Sequence, residues 1–373
     1  MSDIVILGAG VMGSALAVPA AAHPSNRITL AGSPLDDDIV EAVARDRHHP
    51  TLDARIPEAV RVCRDEALDG ATLVGADVVV LGVSSPGVAW AVERLERAGA
   101  VPAVLALVTK GLIARGDDVP LTYADALPAS LCSTPQGIVG IGGPCIAREL
   151  ALGYPTRVTF ASRHRSNAER LRDLLQTDVY RVTTSEDVVG VEACAALKNF
   201  LCIGISAMFT AHRLEESHAK NPLAALFNQG VLELALLASW LRGGQDGQGG
   251  SGGRDGSTPI GAIPIGTRSP ASGAEPAFDL AGMGDLHVTV GGGRNSRLGR
   301  HLGEGATLGA TLDGPMQGVT VEGVDTGRAL SGALHAACDR GVLERAALPL
   351  TRAILACIDD DRPFALDFRD LPG

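Results

Sequence analysis

Residues 3–17 read DIVILGAGVMGSALA, and this stretch decides the fold of the N-terminal half of the chain. Residues 3–7 form a short apolar run rich in β-branched side chains, which predicts a buried strand. Gly8, Gly10 and Gly13 then give the pattern G-x-G-x-x-G, and a helical pattern follows. After a strand and before a helix, these glycines permit a tight turn, backbone approach to a pyrophosphate and close packing of the helix. The stretch predicts a dinucleotide site; the alternative is a glycine-rich turn that binds nothing.

The start of that helix should offer free backbone N–H groups to phosphates, which makes Val11 and Met12 candidates beside the glycines. The next predicted strand, residues 27–31, should end near the residue that selects the cofactor. An acidic residue there favours NAD and a basic one favours NADP, but residues 31–34 read AGSP. We interpret the aspartates at 36–38 as the N-terminal cluster of a helix. Ser33 is therefore the candidate contact, and the choice between NAD and NADP stays open.

Strand and helix patterns alternate up to residue 185, and the pattern is helical from Glu186 onward. Further strands are predicted at residues 77–83, 101–108, 137–141, 156–161 and 179–183. We predict a Rossmann-type α/β domain at 1–185 and an all-helical domain at 186–373. The segment 243–276 is rich in Gly, Ser, Pro and Asp, which predicts a disordered surface insertion in the second domain.

Two lysines are candidates for chemistry. Lys110 follows the strand predicted at 101–108, at the carboxyl edge where α/β sheets bind ligands; the alternative is a solvated loop lysine. Lys198 is the only charge in the apolar helical stretch 193–211. A lysine in such a helix must be paired, neutral or facing a polar cavity, or else extend outward from the edge of the apolar face. The stretch is the best membrane-span candidate, and its polar residues favour a core helix instead.

A second polar cluster follows the insertion. Asp285 and Thr289 are four residues apart, so they share a face if the segment is helical. Glycines at 291–293 then break the helix, and Arg294 and Asn295 are predicted to start another. A guanidinium, an amide and free N–H groups at a helix start favour an anion site; the alternative is a solvated basic face. Residues 321–330 are predicted to form a polar loop or cap.

Composition narrows the class of protein. The 373 residues include 46% hydrophobic and 20% charged, and the net charge of −11 argues against nucleic acid as the main partner. The seven cysteines have no close paired spacing, and the stretch MSDIVILGAG at residues 1–10 does not have the pattern expected of a signal peptide. We expect a reduced, cytoplasmic protein with no metal site and no membrane span.

Six ordered motifs together resemble the NAD(P)-dependent glycerol-3-phosphate dehydrogenase family. They are the glycine loop at 8–13, Lys110-Gly111, GPCIA at 143–147, GVEACAALKN at 190–199, GMGDLHVT at 282–289 with Arg294-Asn295, and EGVDT at 322–326. The resemblance implies a Rossmann-type domain followed by a helical domain like that of 6-phosphogluconate dehydrogenase, and a homodimer. It implies interconversion of sn-glycerol 3-phosphate and dihydroxyacetone phosphate, which feeds glycerophospholipid synthesis.

The same resemblance assigns roles to residues. Lys198 would be the general acid/base, with Lys110 and Asp285 also catalytic, and Asp285 is the expected orienting partner of the Lys198 ammonium. The residues lining the substrate site would be Lys110, Asn199, Asp285, Thr289, Arg294 and Asn295. The residues holding NAD or NADP would be Gly8, Gly10, Val11, Met12, Gly13, Ser33, Lys110, Gly143, Ala147, Arg294 and Glu322.

Three departures from the family pattern keep alternatives open. Cys145 stands where the family usually has Ser, and Leu223 and Gln229 replace two basic residues. The loop at 211–220 lacks the usual glycine-rich pattern. The alternatives are a reductase of a related phosphorylated or anionic ketone, and a dinucleotide-binding regulator without turnover.

Overall fold

The computed structural model describes residues 1–214, 219–246 and 276–372. The chain divides into two compact units, the first made of Met1–Lys110 with Tyr123–Glu192 and the second of Gly111–Thr122 with Ala193–Gly373. The division places the short segment Gly111–Thr122 with the C-terminal unit, whereas the sequence assigned it to the N-terminal domain. Most of the predicted insertion at 243–276 lies outside the described residues, and the preceding helix continues to Asp246.

The strands are β1 (Ser2–Leu7), β2 (Asn26–Ala31), β3 (His48–His49), β4 (Ala54–Arg55), β5 (Val60–Cys63), β6 (Val78–Leu81), β7 (Val104–Leu107), β8 (Ile113–Arg115), β9 (Asp118–Leu121), β10 (Ile138–Gly142), β11 (Thr156–Ala161) and β12 (Tyr180–Ser185). Eight of them form one sheet in the order β12-β11-β10-β7-β6-β1-β2-β5. Neighbours in this sheet are parallel except β10 and β11. The Rossmann-type prediction is therefore confirmed.

The central strands of the sheet are apolar because both of their faces are covered. All four residues of β6 (VVVL) and of β7 (VLAL) are buried, as parallel sheets require. The sequence analysis did not predict β5. That strand is four residues long, lies at the sheet edge and carries the exposed Arg61, so its apolar signal is weak.

The helices of the first unit are α1 (Val11–Ala21), α2 (Asp37–Asp46), α3 (Gly70–Val74), α4 (Val88–Ala98), α5 (Tyr123–Ser130), α6 (Ala147–Ala151) and α7 (Arg165–Leu175). The apolar sides of α1, α2, α6 and α7 pack on the sheet in one core that includes Ile4, Leu16, Leu30 and Leu171. Burial of these side chains contributes about 25 cal/mol per Å² of apolar surface.

The remaining helices are α8 (Val188–Ala211), α9 (Lys220–Asp246), α10 (Asp285–Val290), α11 (Arg294–Gly303), α12 (Leu308–Asp313), α13 (Glu322–Asp339) and α14 (Pro349–Asp360). The second unit holds α8 from Ala193 onward and α9 to α14. It is helical as predicted, with one addition: the antiparallel hairpin β8–β9. A Cβ placed on Gly332 of α13 would lie 3.1 Å from the Gly116 carbonyl oxygen, so the hairpin backbone packs directly on that helix.

The second unit is built around α8, which is apolar on all sides and therefore buried. Gly299 and Gly303 let α11 approach its backbone, because an added Cβ at either position would collide with an α8 carbonyl oxygen. Both α8 and α9 are long and apolar enough to cross a membrane, but the most apolar window of α8 is 100% buried within the protein. A core helix passes that length test equally well.

One predicted element was wrong. Residues 321–330 were expected to form a polar loop or cap before the last helices, but α13 begins at Glu322 and runs through this segment to Asp339. The polar residues mark the exposed side of a helix whose other side, including Val324 and Leu330, is buried.

Candidate active site

In the first unit, the glycine loop has the geometry that its sequence predicts. Gly8 has φ +107°, and its N–H donates to the Ala31 carbonyl at 2.8 Å. A Cβ on Gly13 would collide with the Gly8 carbonyl oxygen, whereas a Cβ on Gly10 would meet no described atom within 4 Å. Gly10 therefore faces open space at the start of α1, where the first-turn N–H groups have no side-chain cap within the described residues. This loop fits a pyrophosphate.

A buried histidine, His49, forms a hydrogen bond to the backbone of the glycine loop, and this contact was not predicted from the sequence. The Ala9 carbonyl oxygen lies 2.9 Å from both Ser14 Oγ, which donates to it, and His49 Nε2. His49 Nδ1 accepts from the Leu52 N–H at 3.1 Å, so the proton resides on Nε2 and is donated to Ala9. Burial lowers the pKa of His49 and so favours this neutral form. His49 lies 40 residues from Ala9 in the chain, so sequence spacing gives no indication of the contact.

Ser33, the candidate cofactor contact, is joined to an aspartate that the sequence analysis assigned only to the helix start. Its Oγ and its backbone N–H both donate to Asp36 Oδ2 at 2.8 Å. The same oxygen accepts from the Ala9 N–H at 3.0 Å. Asp36 therefore connects the end of β2 to the glycine loop. Asp36 is the fifth residue after the end of β2, at the start of α2, so its position in the sequence favoured the helix cluster.

Lys110 follows β7 by three residues and lies half-buried at the carboxyl edge of the sheet. Ser85 Oγ donates to the Lys110 carbonyl at 3.0 Å, and Thr109 Oγ1 donates to the Val83 carbonyl at 2.6 Å. These bonds fix the backbone that carries Lys110 to the loop after β6. The predicted position at the ligand-binding edge agrees with this geometry.

Gly143 and Ala147 lie at a second turn on the same edge of the sheet. Gly143 has φ +130°, and a Cβ there would lie 3.0 Å from the Val158 Cα. Ala147 begins the short helix α6, and Cys145 between them is half-buried. The turn therefore requires glycine at 143, because its φ is positive and the Val158 backbone leaves no room for a side chain.

In the second unit, Lys198 is buried and paired. Its Nζ donates to Asp285 Oδ1, and the two residues are 6% and 2% exposed. The alternative in which Lys198 extends into solvent is therefore excluded. Burial disfavours the charge on the ammonium while the carboxylate favours it, so the pair holds a proton donor in an apolar wall.

The predicted helical spacing of Asp285 and Thr289 is correct, since both lie on α10. The Thr289 hydroxyl donates to the Asp285 carbonyl at 2.7 Å, within the helix. Cys202 Sγ of α8 donates to the Thr289 carbonyl at 3.3 Å. Burial raises the pKa of Cys202 to about 12, so it stays a thiol. These bonds fasten the helix that carries Asp285 to the one that carries Lys198.

The predicted anion site at the start of α11 separates into two parts. Arg294 is half-exposed and forms an ion pair with Glu322, the first residue of α13. Asn295 is buried, and its Oδ1 accepts from the Gly323 N–H at 2.9 Å. Asn295 thus fixes the start of α13, while Arg294 is exposed and the N-cap residue Gly293 provides no side-chain cap for the first turn of α11. Asn199 is also buried, and a Cβ on Gly323 would lie 2.8 Å from its carbonyl carbon.

Comparisons with known proteins agree with this geometry. Residues 3–168 match the family model "NAD-dependent glycerol-3-phosphate dehydrogenase N-terminus", and residues 263–365 match its C-terminal counterpart. The chain is 32% identical over 317 residues to the NADP(+)-dependent glycerol-3-phosphate dehydrogenase of Archaeoglobus fulgidus, covering 83% of this chain and 82% of that one. It is 34% identical to the glycerol-3-phosphate dehydrogenase [NAD(P)+] of Symbiobacterium thermophilum, covering 88% and 83%.

Among solved structures, glycerol-3-phosphate dehydrogenase from Coxiella burnetii has the same fold. It aligns with a TM-score of 0.72 at 24% identity, over 97% of this chain and 96% of that one. The two family models match residues in both units, 3–168 and 263–365, which a shared Rossmann domain alone does not explain. The chain belongs to the NAD(P)-dependent glycerol-3-phosphate dehydrogenase family.

Proposed function

We propose that this chain interconverts sn-glycerol 3-phosphate and dihydroxyacetone phosphate with NAD(H) or NADP(H), and that Lys198 is the general acid/base. The observation that carries the proposal is the buried pair of Lys198 with Asp285 in a member of this family. Reduction of a ketone needs a hydride on carbon and a proton on oxygen. A buried ammonium can supply the proton, and a carboxylate beside it can hold the ammonium in place.

The first unit supplies the cofactor site. Gly10 and the N–H groups of Val11 and Met12 would hold the pyrophosphate, with Gly8 and Gly13 shaping the loop. These residues would hold a dinucleotide whose nicotinamide would supply or take up the hydride. Gly143 and Ala147 belong to the second turn of the same sheet edge, and we assign them to cofactor contact. Lys110 is assigned to both cofactor and substrate contact.

The second unit supplies groups for an anionic substrate. Arg294 offers a guanidinium fork, and the start of α11 offers free N–H groups, so together they can bind a phosphate. Binding there competes with the ion pair between Arg294 and Glu322. Asp285 orients Lys198, and Thr289 and Asn295 hold the helices that carry these groups. Anchoring energy from the phosphate can be used to position the carbonyl.

One of the two residues that suggested a related ketone as substrate, Gln229, has a structural role. Gln229 is 5% exposed, and its Nε2 donates to Glu233 Oε1 at 2.9 Å, within α9. Glu233 in turn accepts from the Leu350 and Thr351 N–H groups at the start of α14. Gln229 therefore has a complete packing role, and its departure from the family pattern does not indicate a different substrate.

The test is a spectrophotometric assay with NADH and NADPH against a panel of small keto-phosphates and keto-acids. Dihydroxyacetone phosphate should be reduced fastest, and Lys198→Ala should lose most of the rate. Lys220→Ala is the matched control, because Lys220 is an exposed lysine at the start of α9. Unchanged activity in Lys198→Ala would refute the mechanism. A clear preference for another ketone, or cofactor binding without turnover, would establish an alternative function.

We also propose that the enzyme works as a homodimer in the cytoplasm. The family resemblance and the absence of paired cysteine spacings support this. Sedimentation analysis of the purified chain should give twice the monomer mass of 38.3 kDa. A monomer with full activity would contradict the dimer.

A further inference from the structure

The turn after β2 brings a carboxylate to the place where Rossmann domains distinguish their cofactors. Gly32 allows this, because a Cβ there would lie 3.2 Å from Asp36 Cβ and 2.6 Å from Val40 Cγ2. The chain folds back so that the Asp36 N–H donates to the Ser33 carbonyl at 2.9 Å. Asp36 therefore lies against the end of β2, although it is five residues further along the chain.

The hydrogen bonds of Asp36 leave one oxygen for a ligand. Oδ2 accepts from the Ala9 N–H, the Ser33 N–H and the Ser33 hydroxyl. Within residues 1–214, 219–246 and 276–372, no hydrogen bond to Oδ1 is made. An ionised carboxylate can only accept, so Oδ1 suits the hydroxyl of a ribose and opposes the 2′-phosphate of NADP.

The charged residues around Asp36 also disfavour the 2′-phosphate of NADP. Asp37 and Asp38 occupy the first turn of α2, where they offset the positive end of the helix dipole. One basic residue, Arg64, lies next to this turn in the sheet. It directly follows β5, the strand beside β2, and the Cys63 carbonyl at the end of β5 accepts from the Gly32 N–H at 2.9 Å. Its guanidinium is paired with Glu41 of α2. A phosphate group, with a charge of about −1.5 to −2, would meet a net acidic turn.

We propose that Asp36 determines cofactor specificity and that this chain uses NAD in preference to NADP. The inference rests on the proposed NAD(P)-dependent function and names the cofactor that the sequence pattern AGSP left open. This chain would then differ in cofactor preference from the Archaeoglobus fulgidus relative, which is NADP(+)-dependent by name. Asp36 accepts the ribose hydroxyl through Oδ1 and repels a phosphate at the same position.

The experiment is titration of the purified full chain with NAD+ and with NADP+, by calorimetry, without substrate. Wild type should bind NAD+ about 10- to 100-fold more tightly, the range expected for a hydrogen bond to a charged group. Asp36→Asn retains an acceptor for Ser33 and Ala9 but removes the charge, and it should reduce the preference by about tenfold or more. Asp38→Asn is the control, because it removes the same charge from an exposed residue of the same helix turn.

Glu41→Gln provides an independent variant, because it releases Arg64 without altering the hydrogen bonds of Asp36. It should tighten NADP+ binding and leave NAD+ binding unchanged. Equal or tighter binding of NADP+ by wild type would overturn the proposal, as would equal effects of Asp36→Asn and Asp38→Asn. Because the readout is binding alone, a chain that prefers NAD+ but fails to reduce dihydroxyacetone phosphate would refute the proposed function and not this inference.

Discussion

Removing Lys198 should separate its chemical role from its packing role. In Lys198→Met the side chain keeps its length and loses its charge, so Asp285, only 2% exposed, is left as a buried carboxylate without its ammonium. Breaking one partner of a buried pair costs about 3–5 kcal/mol of unfolding free energy. In Lys198→Met/Asp285→Asn both charges are gone, and stability should return to within about 1 kcal/mol of wild type. Loss of a general acid should lower kcat by about 10²- to 10⁴-fold in both variants.

Stability can be measured in the second unit itself. The chain has two tryptophans, Trp90 and Trp240, and Trp240 is 3% exposed on α9. In a Trp90→Phe background, denaturant unfolding followed by fluorescence therefore reports on Trp240 alone. Initial rates of NADH oxidation with dihydroxyacetone phosphate give the catalytic effect. Recovery of activity together with stability in the double variant would refute the role of Lys198 as acid, and an undiminished stability of Lys198→Met would refute the burial argument.

Three further predictions concern other parts of the chain. Gly13→Ala should lower the free energy of unfolding by about 1–3 kcal/mol, because the added Cβ collides with the backbone. Gly10→Ala should keep the stability of the wild type but weaken NAD+ binding. Thermal melts measure the stability of both variants, and calorimetry measures their NAD+ binding. The folded pKa of His49 is lowered below its usual 6.5, so the unfolded chain takes up more protons as pH falls below 6.5 and stability drops there. His49→Gln should lose less stability as the pH falls below 6.5, and an identical pH profile in both proteins would contradict this. Glu233→Ala leaves two N–H groups of α14 unsatisfied and should cost about 1–3 kcal/mol in denaturant unfolding, while the exposed Glu344→Ala should cost nothing measurable.

Patterns confined to one element were predictable from sequence. The run at 3–7 becomes β1, and the apolar stretch around Lys198 becomes the core helix α8, because burial on all sides leaves a local apolar signal. Weak elements were missed for the same reason. The edge strand β5 is short and half-exposed, and the first turns of α13 carry enough polar residues to resemble a loop.

Apart from the expected pairing of Asp285 with the Lys198 ammonium, side-chain partnerships were predictable only where the spacing is local. Asp285 and Thr289 lie one helical turn apart, and their shared face follows from the period of the helix. Asn295 was expected to line an anion site, but its amide oxygen instead accepts from Gly323, 28 residues further along. Nothing in the residues around Asn295 indicates that partner, because α13 reaches it only when the second unit packs.

The sequence by itself therefore determined the strand–turn–helix of the glycine loop, the apolar character of α8 and the ordered motifs that identify the family. Each depends on residues that are neighbours in the chain. The tertiary structure alone decided that Asp36 meets Ala9 across 27 residues, whereas the pairing of Lys198 with Asp285 was expected and packing brings the two together across 87 residues. A buried ammonium keeps its charge only where folding brings a carboxylate to it, and that requirement is met by packing rather than by local sequence.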